Sequence, residues 1–166
     1  GGIGYLLEHN FGYVIPAKMR EDVGYTVKHV SDNAHAELSP QQVLDVFTDT
    51  YVNINDHIRL IDYHFKRTPD ISVSVTVELN GEVKELAATG NGRLDAVSNA
   101  VKQQLGIDFS DLSYEEHALT AGSTSQAISY VSITLPDGRK VWGAGINDDI
   151  IASSINALFS AINRSI

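Results

Sequence analysis

The chain contains no cysteine among its 166 residues. A disulfide framework, thiolate metal sites and a cysteine nucleophile are thereby excluded, and a reducing, cytoplasmic setting is the expectation. Basic residues are scarce: 12 Lys and Arg stand against 21 Asp and Glu, a net charge of −9, and no Lys/Arg cluster with interleaved aromatics offsets it. That balance repels a phosphate backbone, so no nucleic-acid partner is expected. No apolar run approaches the roughly 20 residues needed to cross a bilayer. The opening Gly1-Gly2-Ile3-Gly4 lacks the basic and apolar regions of a signal peptide, and no membrane partner is expected. The first residue is not Met, which points to a piece of a longer protein.

What is present suffices for one domain with a helical appendage, able to bury a core without staples. Met19, Val23, Val27 and Val30 recur at helical spacing after Pro16, a residue suited to a first helical turn. Ser39-Pro40-Gln41-Gln42 carries an N-cap Ser, Pro at the first helical position and the Gln of a capping box; Val43, Leu44, Phe47 and Tyr51 follow as a buried face. From about Asn53 the period changes to two, and a boundary is placed there: a helical subdomain over 1–53 and an α+β domain over 54–166.

In the second part, 58–65 and 71–77 alternate as strands do, Asn80-Gly81 suits a tight hairpin turn, and 83–89 returns as a strand before a helix over 93–105. The order then recurs: strands over 114–120, 127–135 and 140–146, and a helix over 149–163. An offset of 57 residues superposes Gly81 on Gly138, Ala87 on Ala144, Asn99 on Asn156 and Ala100 on Ala157. One β-β-β-α unit cannot bury both its sheet face and its helix stripe, so two copies are expected to pack as a pseudo-symmetric pair.

Gly90-Asn91-Gly92 precedes a helix and leaves its first N–H groups open to an anion. No Gly-Lys-Ser/Thr follows and the third glycine of a dinucleotide fingerprint is missing, so nucleotide is not expected. Ile146-Asn147-Asp148-Asp149 occupies the equivalent junction of the second unit. Two helix N-termini facing one another, with Asp148 or Asp95 as counter-charge to an ammonium group, would suit a free amino acid. The alternative is an ordinary turn. Glu116 and His117 are adjacent on a strand and point to opposite faces, so they do not converge on a metal and none is expected. Ala121 to Ala127 reads as a small polar loop over a pocket or a plain hairpin connection, and its Ser and Thr residues lack the elbow and His-Asp pair of a hydrolase. Trp142 is expected in the core or at a subunit interface.

Gly90-Asn91-Gly92-Arg93-Leu94-Asp95-Ala96, Leu112-Ser113-Tyr114-Glu115-Glu116-His117-Ala118-Leu119, Gly122-Ser123-Thr124-Ser125-Gln126-Ala127 and Val141-Trp142-Gly143-Ala144-Gly145-Ile146 resemble, in order and spacing, the regulatory domain of 2-isopropylmalate synthases. Gly1 to Leu7 is similar to the linker subdomain that precedes it. The resemblance implies a parent acyltransferase that condenses acetyl-CoA with 2-oxoisovalerate, using a divalent metal, in a catalytic barrel. None of the barrel's alternating βα pattern is present, so the chain is expected to be non-catalytic and without a cofactor of its own. It further implies a homodimer and a leucine site at Asn91, Gly92, Leu94, Asp95, Asp111, Tyr114, Ala118, Ser125, Ala127, Ile146 and Asp148. Competing readings are an isoleucine-sensing citramalate synthase domain and a ligand-free dimerisation module.

Overall fold

The computed structural model describes residues 2–67, 69–121 and 124–166. Three helices come first: α1 (Gly2–Phe11), α2 (Ala17–Ala34) and α3 (Pro40–Tyr51). Two units follow, β1 (Ile58–Arg67), β2 (Ile71–Leu79), β3 (Glu82–Gly90) and α4 (Arg93–Leu105), then β4 (Ser110–Ala121), β5 (Thr124–Thr134), β6 (Lys140–Asn147) and α5 (Ile150–Ser165). Each unit is an antiparallel meander, β1-β2-β3 or β4-β5-β6, with its helix last. The α+β class and the repeated β-β-β-α order are therefore those read from the sequence.

Local chemistry accounts for most element ends. Ser39 accepts the Gln42 N–H at 3.2 Å while Gln42 accepts the Ser39 N–H at 2.8 Å, so two N–H groups without helical partners are satisfied reciprocally. Asn80 and Gly81 both have positive φ, 49° and 88°, as a tight hairpin requires. The boundary furthest from expectation is the start of β4, and β5 also begins earlier than expected, at Thr124. β4 begins at Ser110, because Asp111 (φ 50°) forms an irregularity between Ser110 and Ser113 that lets pairing resume upstream of Tyr114. Val30 sits at the rim of the α2 stripe and remains 36% exposed, whereas Met19, Val23 and Val27 are buried.

Two apolar clusters share the second sheet. The first joins the units: Val73, Val75, Val77 and Leu86 meet α4 residues Val97 and Val101, and Val131, Ile133, Ile155, Leu158 and Ile162 complete it. The second packs Leu7, Met19, Val23, Val43, Phe47 and Tyr51 of the helices on Ile128, Tyr130, Trp142 and Ala144. Strand alternation makes this possible, since Trp142 and Ala144 face α1–α3 while Gly143 and Gly145 face α5. A side-chain carbon at Gly145 would come within 2.6 Å of the Ala157 nitrogen, and one at Gly143 within 2.6 Å of the Ala157 oxygen. Glycine at both positions thus lets α5 lie directly on β6. Trp142 is 5% exposed and belongs to the second cluster.

Candidate ligand-binding cleft

The N-termini of α4 and α5 open on one cleft of about 780 Å³ between the two units. Asn91, Gly92, Arg93, Leu94 and Asp95 line it from the first unit, Ile150, Ile151 and Ser154 from α5. Phe65, Lys66, Arg67 and Ile71 form a wall from β1 and β2, and Leu112, Tyr114 and Glu116 form another from β4. The result is an apolar pocket with charge of both signs at its rim.

The two helix ends are chemically unequal. At α5, Asp149 accepts the Ile151 N–H at 2.9 Å, and the Tyr63 hydroxyl donates to its other carboxylate oxygen. These hydrogen bonds, led by that from Tyr63, hold the Asp149 carboxyl below the usual carboxylate range, while desolvation and the same bond push Tyr63 up to about 12. At α4, the N-cap is Gly92, in extended backbone (φ −145°), and no side chain caps the helix. Its first-turn N–H donors and the positive end of its dipole therefore open on the cleft with no capping side chain, and the one acidic residue of that turn is Asp95. Asp95 turns back one turn and accepts the Asn91 N–H at 2.8 Å, fixing the approach to the helix. Gly90 makes that approach possible, because a side-chain carbon there would sit 2.6 Å from both the Ala96 nitrogen and the Asp95 carboxylate. Opposite, the Tyr114 hydroxyl donates to Glu116. Desolvation first, then that bond, raises the Tyr114 hydroxyl pKa above its ordinary value.

Of the residues singled out from sequence, Asn91, Gly92, Leu94, Asp95 and Tyr114 line the cleft together. Asp111 lies at the β4 irregularity. Ala118 follows Tyr114 and Glu116 on the same face of β4 and pairs with Ala127, but neither lines the cleft. Ser125 and Asp148 are exposed and also outside the lining. Ile146 pairs with Ile128 and packs with the helical cluster, on the sheet face opposite to Ala127. The loop expected over Ala121 to Ala127 is mostly strand, because β4 runs to Ala121 and β5 starts at Thr124, with Ala121 paired to Thr124; Gly122 and Ser123 lie outside the described residues.

Sequence reasoning did not select Tyr63, Phe65, Glu116 or Asp149. Period-two alternation carried a signal for two of them, since it places Phe65 beside Tyr63 and Glu116 beside Tyr114. Glu116 and His117 do point apart. His117 Nε2 lies 3.1 Å from the Val14 nitrogen and 2.8 Å from the Tyr130 hydroxyl, so it ties the α1–α2 connection to the second sheet.

The fold is a repeated β-β-β-α domain whose two units meet at a concave, mostly apolar cleft with an uncapped helix N-terminus and charges of both signs. Comparison with known proteins makes the assignment specific. The chain belongs to the family of LeuA allosteric (dimerisation) domains, whose model matches residues 37–166. It is 52% identical, over its whole length, to 2-isopropylmalate synthase of Desulfitobacterium hafniense, 42% to that of Helicobacter hepaticus, and 38%, over 99% of the chain, to that of Clostridium acetobutylicum. The chain spans only 30%, 31% and 31% of those proteins.

Proposed function

We propose that the chain is the leucine-sensing, dimer-forming part of a cytoplasmic 2-isopropylmalate synthase, and that it exerts feedback inhibition on a catalytic barrel elsewhere in the parent protein. That barrel would bind the divalent metal and join acetyl-CoA to 2-oxoisovalerate. The observation that carries the reading is the pairing of an uncapped α4 N-terminus with Glu116 across an apolar cleft. The ligand's carboxylate takes the α4 N–H groups beside Gly92. Its ammonium turns to Asp95 or Glu116, and its isobutyl group lies among Leu94, Leu112 and Ile151. Burial of that group contributes roughly 1.5 to 3 kcal/mol, so recognition of the charged ends supplies the remainder of a useful affinity.

The test is a thermal-unfolding series with leucine alongside sedimentation of the free chain. A ligand specific to the folded state raises stability by about 2.7 kcal/mol at one hundred times its dissociation constant. A stability increase with leucine in a dimeric chain is expected. A dimer indifferent to leucine and responsive to isoleucine would move the assignment to the citramalate branch, and a dimer indifferent to both would leave dimerisation as the function.

A further inference from the structure

Helix α5 reaches the cleft with one end and the connection between helices and sheets with the other. Ile150, Ile151 and Ser154 of its first turns line the cleft. At its far end, the Ser160 hydroxyl donates to the Tyr51 carbonyl at 2.5 Å and accepts the Ile54 N–H at 3.1 Å. Asn163 accepts the N–H groups of His57 and Ile58, both at 2.8 Å. Its amide nitrogen lies 2.7 Å from the Ile54 carbonyl and 2.8 Å from that of Ile58. Ser160 is fully buried and Asn163 4% exposed, so these bonds are shielded from exchange with water.

The same connection has a second attachment. Asn53, in left-handed backbone (φ 54°), donates its side-chain amide to the Ile146 carbonyl at 3.1 Å and accepts the Ile146 N–H at 3.0 Å. Its own N–H donates to Ala144 at 2.9 Å. Adjacent residues of the connection are therefore held by different elements, Asn53 by β6 and Ile54 to Ile58 by α5. Sixteen residues of α5 span about 24 Å, and closely packed elements pass on displacements rather than absorbing them. Any shift of α5 along β6 must change the geometry between Asn53 and Ile54.

We infer that this connection is where occupancy of the cleft is handed to α1–α3: ligand packed on Ile151 in the first turn of α5 moves the helix against β6, and the offset appears at Asn53–Ile58. The inference rests on the proposed ligand reading and assigns its route of coupling.

The experiment is amide hydrogen exchange of the whole chain with and without saturating leucine, with binding measured separately by calorimetry. In the unsubstituted chain, leucine slows exchange at Ile54, His57 and Ile58 by about fivefold or more, the lower end of ordinary coupling energies. Ser160→Ala and Asn53→Gly each release one grip, and glycine keeps the left-handed backbone without strain. In both variants leucine binds within about twofold of the original affinity, while protection at the connection falls to near none. An unchanged response in both variants, or protection confined to the cleft in the original chain, overturns the coupling while leucine binding stands. If calorimetry detects no leucine binding to the original chain, the ligand reading fails and the coupling falls with it.

Discussion

The Tyr63 hydroxyl, on β1 of the first unit, donates to Asp149, the N-cap of α5 in the second. One hydrogen bond thus joins the units at the mouth of the cleft and occupies the carboxylate that caps the helix. Tyr63→Phe removes it. Asp149 is depressed in the folded chain, so its share of stability is present above the ordinary carboxylate pKa, about 4, and fades as the pH falls below that. Tyr63 is raised to about 12, so its share is present below about 10 and fades as the pH climbs towards 12. The melting-temperature gap between the original and the Phe variant should therefore be level across neutral pH and narrow at both extremes. A gap that stays constant from pH 3 to 7 would separate Asp149 from the effect.

Glycines separate by what surrounds them. Gly145→Ala sets a methyl group against the α5 backbone, where neither β6 nor the helix can yield locally. A cost of about 1 to 3 kcal/mol or more is expected. Gly24→Ala, inside α2 with nothing within 4 Å of the new carbon, should instead stabilise by about 0.5 to 1 kcal/mol. Urea unfolding of the two variants gives opposite signs if helix contact governs the first and propensity the second.

His117 acts as an acceptor. The Val14 N–H can only donate, so Nε2 is unprotonated and Nδ1–H donates to the Ala118 carbonyl at 3.0 Å. His117→Phe strands the buried Tyr130 hydroxyl and should cost about 1 to 3 kcal/mol. Exchange at the Val14 amide should quicken in the same variant. Unaltered exchange there would mean that the hydrogen bond is not maintained in solution.

At Gly92 the surroundings are open and the backbone is extended, so a larger residue fits the fold and intrudes on the α4 N-terminus. Gly92→Val should leave the melting temperature nearly unchanged and weaken leucine binding by tenfold or more, about 1.4 kcal/mol. Equal affinity in the variant would remove the α4 N-terminus from the site.

The repeat was legible because its turns and helix starts are local chemistry: Asn80-Gly81, Gly138, Ser39 with Gln42, and the strand-to-helix junctions at Gly92 and Asp149. The cleft was legible in its first-unit half for the same reason, since Asn91, Gly92, Leu94 and Asp95 are contiguous. The other half depends on register. Phe65 and Glu116 reach the cleft only because strands of the two sheets meet there, and no short-range pattern encodes that meeting. Asp111 concealed the true start of β4, since a left-handed residue breaks the alternation that marks a strand. Ile146 illustrates a one-residue parity effect: its neighbours Gly145 and Asn147 face α5, and Ile146 faces the helices.

Calorimetric titration of the chain with leucine, isoleucine, valine and lysine tests the central claim most directly. Saturable binding of leucine, tighter than that of the other three and weakened by Gly92→Val, is the expected result. Heats indistinguishable from dilution for leucine, in a chain that remains folded and dimeric, would contradict it.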